Sequence, residues 1–536
     1  MTRMKHLRYT AGYGSGLWLS LAMLLYGTAA GAQQTITGAV QASGQQAERE
    51  YPDGWVTQSH DPQHTGISSV RSQALRRIHW HTPVDLQPRL TSGELLNHYG
   101  SPLVTQGNTV IVPVKTGATN GFRVEARDGA DGSVEWMLNT DYTVPSAPFL
   151  PSFGPTLSKN SVVIPAAGGT ILVRDQADLP YGKVTRIAFY GLGAFATDPA
   201  TFTANVQINT PITADSKGNL FFGFIVTGPT PILLQSGLAR IGNDGKGSWV
   251  SASSASGDPQ ISKVNMNCAP AMSKDEHHVY VGVDNFDFGF GYLLELDAAT
   301  LQPVNKARLI DPVSLSDALI TDESSASPAV GPDGDVFFGV VENPFPSHHD
   351  RGWLLHFSGD LTQQKTPGGF GWDDTASIVD ASLVKSYRGS SKYLLMTKYN
   401  DYADEGGTGL NKIAILDPNS TTPDLVFGNP VMGEVLTILG PTPDLRFPQP
   451  GPVREWCINT AAVDPFTKSV FANSEDGKLY RWDLTTNSFA EVIKLTGGIG
   501  EAYTPTLIGS DGTVYAINRG VLFAMGEDTG IDEGHE

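Results

Sequence analysis

The feature that most constrains the fold is a unit that recurs about every 45 to 80 residues. Each unit opens with a small residue, often followed by proline, and continues as a short apolar run, a polar turn and a second apolar run. Turns such as residues 331–335 and 510–513 contain the Asp-Gly pairs that favour β-hairpins. A third apolar run follows the hairpin, as in residues 292–296, and a fourth follows in residues 134–138. The units begin at Ser101, Gly154, Thr210, Ala269, Ser327, Ala376, Asn459 and Thr504.

Four antiparallel strands repeated in this way predict the blades of a β-propeller. We therefore expect an all-β fold, a single eight-bladed propeller with four strands per blade. A seven-bladed ring is the alternative if two units merge. The last unit has no fourth strand after residues 521–524, and residues 77–81, ahead of the first unit, can supply one. We expect strands from the two ends of the chain to close the ring.

The amino-terminal residues have the features of a secretory signal peptide. Arg3, Lys5 and Arg8 precede an apolar run at residues 17–26, which is too short to span a bilayer, and Ala32 ends a small-residue cleavage site. The expected location is therefore the periplasm or the exterior of the cell. The predicted organisation is a signal peptide over 1–32, a flexible leader over 33–54, the propeller over 55–526 and an acidic tail over 527–536.

The net negative charge of the chain limits the kinds of partner that we expect. Asp and Glu number 55 against 36 Lys and Arg, a formal net charge of −19. Nucleic acid is not expected as a partner, because phosphate binding needs clustered basic side chains. No segment after the signal is apolar enough to span a membrane. We expect a monomer that binds a small polar ligand, a glycan or a protein.

The two cysteines, Cys268 and Cys457, leave two alternatives. An exported protein with two cysteines often pairs them in a disulfide. The repeat places them three blades apart, however, which is too far for the geometry of a disulfide. We therefore favour two buried, unpaired thiols.

Asp128, Gly132 and Trp136 follow an alanine with a spacing that resembles the tryptophan-docking repeat of quinoprotein-like (PQQ-like) β-propellers of secreted bacterial proteins. Partial copies of the motif lie at Asp297, Asp417 and Asp483, and residues 55–66 resemble the segment that precedes such propellers. The resemblance implies that the aspartate caps the turn between the third and fourth strands. It also implies that the tryptophan packs between blades.

The same resemblance implies two kinds of function. Dehydrogenases of this family bind pyrroloquinoline quinone and Ca²⁺ on the propeller axis, often beneath a disulfide of adjacent cysteines. This chain has no adjacent pair, so the quinone is not expected. Other members bind no cofactor and act as assembly or scaffold factors. We predict a ligand-binding or scaffold module without a catalytic centre. The alternatives are a quinone- and Ca²⁺-dependent dehydrogenase, or a carboxylate-based polysaccharide lyase or hydrolase.

Candidate site residues lie in the loops that lead into first strands and in those that join second and third strands, which share one face of a propeller. Carboxylates, amides and aromatic rings there suit a polar organic ligand, and hard oxygen ligands suit Ca²⁺. Adjacent histidines beside an aspartate suit a transition metal instead. The ligand-binding candidates are Asn267, Glu323, Trp372, Asp373, Asp374, Glu455, Trp456 and Glu501; the metal candidates are Asp401, Asp404, Glu405, His348, His349 and Asp350. Because acidic loops also simply solvate a surface, no catalytic residue is assigned.

Overall fold

The computed structural model describes residues 54–88, 90–91, 94–95, 97–146, 151–498 and 504–528. The predicted signal peptide, most of the leader and most of the acidic tail lie outside these ranges. The described residues form eight antiparallel blades arranged in a ring, which confirms the predicted eight-bladed propeller over the seven-bladed alternative.

The eight units found in the sequence each form one blade, and the chain passes through the strands of a blade from the inner to the outer position. In blades 3 and 4 the inner position is occupied by two short strands. The strands of blades 1 to 4, from inner to outer, are Leu103–Val104, Thr109–Lys115, Phe122–Asp128 and Val134–Thr140; Thr156–Ser158, Ser161–Pro165, Thr170–Asp175 and Val184–Ala188; Val206–Ile208 with Thr213–Ala214, Leu220–Val226, Gly237–Ile241 and Gly247–Ser251; and Lys263–Val264 with Ala271–Met272, His278–Asp284, Gly291–Asp297 and Pro303–Arg308.

Blades 5 to 8 follow the same order, and blade 8 takes its outer strand from the start of the chain. Their strands are Ala329–Val330, Val336–Val340 and Trp353–Phe357; Ser377–Asp380, Tyr393–Tyr399, Lys412–Pro423 and Pro430–Leu439; Ala462–Asp464, Ser469–Asn473, Lys478–Asp483 and Ser488–Lys494; and Leu507–Ile508, Val514–Asn518, Val521–Gly526 and Arg77–Pro83. Arg77–Pro83 runs antiparallel to Val521–Gly526, so the two ends of the chain close the ring as predicted.

The fourth position of blade 5 is filled irregularly. Residues 364–368 join Trp353–Phe357 through isolated bridges rather than a continuous ladder. The long outer hairpin of blade 6 lies over this segment, and the amide of Met432 donates to the carbonyl of Pro367 at 2.8 Å. The hairpin thereby protects an outer edge that would otherwise expose backbone donors and acceptors.

An amino-terminal segment, residues 55–73, follows the inner wall of the ring and contacts all eight blades in order; we call it the axial segment. It is the region that resembles the lead-in of quinoprotein-like propellers. Its polar contacts run from Trp55 with Val104, through Val56 with Leu157, Thr57 with Ile212, Pro62 with Met272, Gln63 with Val330, Thr65 with Ile378 and Gly66 with Val463, to Gln73 with Gly512, at 2.7–3.2 Å. All but the Thr57 contact join main-chain atoms.

The motif at Asp128 and Trp136 behaves as the resemblance implied. The carboxylate of Asp128 accepts the amide of Ala130 at 2.8 Å and caps the turn between the third and fourth strands of blade 1. The Trp136 indole donates to the carbonyl of Ala177 in blade 2 at 2.8 Å, beneath the guanidinium of Arg174. Trp136 therefore links two blades, within one of the buried apolar clusters that span neighbouring blades.

Helical structure is confined to short pieces between strands, and none of the described helices is long and apolar enough to cross a membrane. A two-stranded ribbon, Leu90–Thr91 with Glu94–Leu95, precedes blade 1. The α-helices are Leu192–Thr197, Pro199–Asn205 and Ala252–Ser256; the 3-10 helices are Ala167–Gly169, Ala381–Leu383 and Ala403–Glu405.

Candidate functional site

The loops leading into first strands and the loops between second and third strands meet on one face, which we call the upper face. Contacts between neighbouring blades show this directly. The amide of Asp322, which leads into blade 5, donates to the Oδ1 atom of Asp287, in a loop of blade 4, at 2.8 Å. The predicted site residues of both loop classes therefore share a face.

Side chains from distant blades meet across the propeller axis near this face. The Nδ2 atom of Asn267, in blade 4, donates to Nδ1 of His98, which leads into blade 1, at 3.1 Å. Its Oδ1 atom accepts the amide of Ser152, ahead of blade 2, at 3.0 Å. Asn267 has a φ of 60°, a left-handed conformation that asparagine tolerates better than most residues. The predicted ligand-binding residue Asn267 is thus a buried cross-axis bridge.

A second polar bridge between blades starts at Asn459, which leads into blade 7. Its Nδ2 atom donates to the carbonyl of Ser325, ahead of blade 5, at 2.9 Å. The side chain of Gln58, in the axial segment, donates to Oδ1 of Asn459 at 3.2 Å. Asp373 accepts both the amide and the hydroxyl of Ser325, at 2.9 and 2.6 Å. Blades 5, 6 and 7 and the axial segment are thereby joined through buried polar atoms.

Asp373 and Asp374 share a buried lysine on blade 6. The Lys398 ammonium lies 3.4 Å from Asp373 Oδ2, and both side chains are almost fully buried. Burial raises the pKa of Asp374 to about 7, although Lys398 and a hydrogen bond from Thr397 act in the opposite direction. Two buried carboxylates facing one ammonium leave the group with an excess negative charge unless Asp374 holds a proton.

A similar buried group lies between blades 4 and 5. Lys263 contacts Asp322 and lies 3.4 Å from Asp284 Oδ1. Burial disfavours the Lys263 charge, but the two carboxylates outweigh that effect and raise its pKa. Burial also raises the pKa of Asp284 to about 7, against the attraction of Lys263. Burying paired charges in this way joins the two blades but costs solvation free energy. These groups therefore contribute more to the relative position of the blades than to the free energy of unfolding.

A third group gathers three donor atoms at blade 7. One atom each of Glu455, Cys457 and Glu475 lie within 4.8 Å of one another, and all three residues are buried. A thiolate with two carboxylates is a donor set suited to Zn²⁺. Arg446, however, lies 3.7 Å from Glu455 and 3.8 Å from Glu475, and this positive charge opposes a cation. The group is an ion-paired cluster in which the arginine already compensates the carboxylates.

The two tryptophans among the ligand-binding candidates, Trp372 and Trp456, lie in the protein interior. Trp456 is 1% exposed and packs against Tyr480 and Phe489, with ring centroids at 5.2 and 5.7 Å. Trp372 is 4% exposed, and its Cβ atom is 2.7 Å from where a side chain on Gly352 would begin. Neither ring presents a slot that could receive the planar tricyclic ring of pyrroloquinoline quinone. These residues do not fit that cofactor.

The six metal candidates do not form one group of ligands in the described structure, although His349 and Asp401 are in contact. His348 is fully buried, stacks on Trp353 at 3.9 Å, and places Nε2 3.1 Å from Asp424 in the blade 6 hairpin. His349 instead contacts Asp401 at 2.8 Å. Because His349 has a φ of 59°, the chain turns there and the adjacent imidazoles point to different partners.

The remaining candidates occupy varied surroundings. Asp401 also accepts hydrogen bonds from the amide and the hydroxyl of Thr408. Burial alone would raise the pKa of Asp401, but the hydrogen bonds from Thr408 and His349 outweigh it and lower that pKa. Asp350 is buried, with its amide bonded to Glu342 at 2.8 Å. Asp404 is exposed, Glu405 is half-buried and Glu323 is buried. Glu501 lies outside the described residues.

Sequence reasoning missed the cross-axis and charge-compensating residues. Lys398 occurs within an apolar strand run, where a charge signals a buried partner without identifying it. Lys263 lies in a stretch of mixed polarity and, like His98 and Glu475, carried no comparable signal.

The described structure thus defines a β-propeller whose axis is filled by polar side chains and by its own amino-terminal segment. No protein-family model and no curated protein sequence matches the chain. Similar solved structures include the Dos1 propeller (12% identity, 85% of this chain and 95% of that chain, TM-score 0.49). They also include a europium-containing methanol dehydrogenase (12%, 88% and 91%, 0.45) and BamB from Moraxella catarrhalis (11%, 84% and 98%, 0.43). These likenesses concern the fold and assign no activity.

Proposed function

We propose that this protein is an exported β-propeller that acts as a ligand-binding or scaffold module through its upper face, without a redox cofactor on its axis. The observation that supports this most directly is the cross-axis network. Asn267 links blade 4 to blades 1 and 2, Asn459 links blade 7 to blade 5, and both are at most 3% exposed. Buried side chains that bond to one another near the axis support a propeller without a cofactor there.

The lysine–aspartate groups support the same proposal. Lys398 and Lys263 are 2% and 7% exposed, and each is engaged by neighbouring carboxylates. A catalytic acid or base must reach the substrate proton within hydrogen-bonding distance. Groups buried this deeply and paired this fully instead hold adjacent blades in register. Binding then falls to the exposed side chains of the upper-face loops.

Export rests on the sequence features of the first 32 residues. The amino-terminal sequence of protein recovered from the periplasm or medium tests it. A start at Gln33 is expected, whereas an intact Met1 in cytoplasmic protein would contradict export.

The cofactor part of the proposal is tested by titrating the purified protein with pyrroloquinoline quinone, with and without Ca²⁺, using equilibrium dialysis. We expect no saturable binding. Stoichiometric, Ca²⁺-dependent binding would overturn the proposal in favour of a dehydrogenase, and Asn267→Ala would then show whether the axis is the site.

The binding part is tested by quantitative affinity capture of partners with three forms of the protein, which are the wild type, Phe286→Asp and Phe466→Asp. Phe286 is 58% exposed on the upper face, and Phe466 is 55% exposed in the blade 7 turn Asp464–Ser469, on the opposite face. Phe286→Asp should reduce capture of specific partners several-fold, while the matched control Phe466→Asp should not. Equal capture by all three forms would contradict an upper-face binding site.

A further inference from the structure

Three phenylalanines form an exposed aromatic surface on the upper face of blades 4 and 5; we call Phe286, Phe288 and Phe345 the phenylalanine surface. Phe286 is 58% exposed, and Phe288 and Phe345 are half-buried. The Phe288 and Phe345 rings meet edge to face, with centroids 6.3 Å apart, so loops of two blades hold the surface together. Large exposed aromatic side chains grouped in this way mark interaction surfaces.

The loops that carry and flank the phenylalanine surface are acidic and hold no Lys or Arg, although five of their six carboxylates are buried. Residues 284–290, 321–325 and 342–350 contain six Asp or Glu and no Lys or Arg. Asp287 is half-buried beside Phe286 and Phe288 in the chain. The carboxylate of Asp284, at the base of this loop, is 1% exposed and receives no hydrogen bond from described residues, although the Lys263 ammonium lies nearby. These loops therefore combine exposed aromatic rings with buried and half-buried carboxylates that no Lys or Arg of the same loops neutralises.

The same face already holds one guanidinium group by this combination. The Arg308 guanidinium lies 3.9 Å from the ring centroid of Phe290 and 4.9 Å from that of Tyr292. It also donates to both carboxylate oxygens of Asp317, at 2.7 and 2.9 Å, and these hydrogen bonds to Asp317 raise the pKa of Arg308. A planar guanidinium can stack on a ring and bind a carboxylate at once, which an ammonium does less well.

From these observations, and resting on the proposed binding function, we propose that the phenylalanine surface docks an arginine-bearing segment of a partner protein. Charge identifies the kind of occupant. A second copy of this chain would bring another formal charge of −19, and nucleic acid or an anionic membrane would be repelled as well. A cationic segment of a different protein is complementary to both features of the surface.

The test measures fluorescence anisotropy of labelled hexa-arginine and hexa-lysine peptides with the purified protein, at low and at moderate salt. We expect hexa-arginine to bind about fivefold more tightly than hexa-lysine, because only the guanidinium gains from the rings. Phe286→Ala should weaken hexa-arginine binding about fivefold and reduce the preference over hexa-lysine. The matched control Phe466→Ala should leave both affinities unchanged.

Equal binding of the two peptides, unaffected by Phe286→Ala, would overturn the inference and show non-specific attraction to an acidic protein. Because Phe286 is mostly exposed, its truncation should leave folding intact, which circular dichroism checks. If peptide binding shows no preference while partner capture still depends on Phe286, this inference fails and the proposed function stands. If capture also ignores Phe286, both fail.

Discussion

The axial segment makes a sharp prediction about stability, because one residue anchors its start. Trp55 is fully buried, and its main chain exchanges two hydrogen bonds with Val104 at 2.9 and 3.0 Å. Its ring contacts the imidazole of His60 edge to face at 4.8 Å. The indole nitrogen has no hydrogen-bond partner among the described residues, so the ring contributes through packing. Truncating a fully buried tryptophan to alanine costs about 3–5 kcal/mol.

We therefore expect Trp55→Ala to lower the free energy of unfolding by about 3–5 kcal/mol, and Trp55→Phe to lower it by less than half as much. The assay is equilibrium urea unfolding followed by circular dichroism, which does not depend on the fluorescence of the removed ring. Val492→Ala, on the outer strand of blade 7 and 45% exposed, is the control and should change the value by about 0.5 kcal/mol or less. A loss below about 1 kcal/mol for Trp55→Ala would refute the idea that the axial segment consolidates the ring.

Three further predictions follow from buried titratable groups. Burial alone would raise the pKa of Asp424, but the hydrogen bond and charge of His348 outweigh it and lower this pKa from 3.8 to about 2. A stabilisation of about 2 kcal/mol should therefore be present above pH 4 and lost as pH falls towards 2. Urea unfolding should show this loss in the wild type and not in Asp424→Asn. Burial raises the pKa of Asp374 from 3.8 to about 7, so the native carboxyl keeps a proton that the unfolded chain releases. The free energy of unfolding should therefore fall as pH rises from about 4 to 7. Asp374→Asn should flatten that part of the plot of unfolding free energy against pH. Cys268 and Cys457 are buried and form no disulfide with each other, and burial raises the pKa of Cys268 to about 12. A thiol reagent should titrate both only after denaturation, whereas a disulfide would leave none to titrate.

The blades could be predicted from the sequence because their signals are local. Gly334 and Gly512 have φ values of 94° and 86°, the left-handed conformation that glycine adopts readily in hairpin turns. Apolar runs on either side of such turns lie within a few residues of one another. The closing strand Arg77–Pro83 was predictable for a different reason, since the last unit was one strand short.

The candidate site was harder to predict because its contacts are long-range. Asn267 meets His98 across 169 residues, and Gln58 meets Asn459 across 401. Loop position put Asn267 among the ligand-binding candidates, but composition could not show that its amide bridges blades. Trp456 lies directly beside Glu455 in the chain, yet its ring enters the blade 6–7 core. The loop pattern thus located a region without distinguishing side chains that fill it from side chains that line it.

The axial segment also changes how the ring should respond to local damage. In most repeat proteins each repeat contacts only its neighbours, so stability is close to a sum of local terms. Here one continuous segment bonds to the inner part of every blade, from Val104 in blade 1 to Gly512 in blade 8. Loss of any blade would release the part of the axial segment that bonds to it. The backbone groups of that part would then lose their hydrogen-bond partners. The eight blades are therefore coupled through the axial segment as well as around the ring.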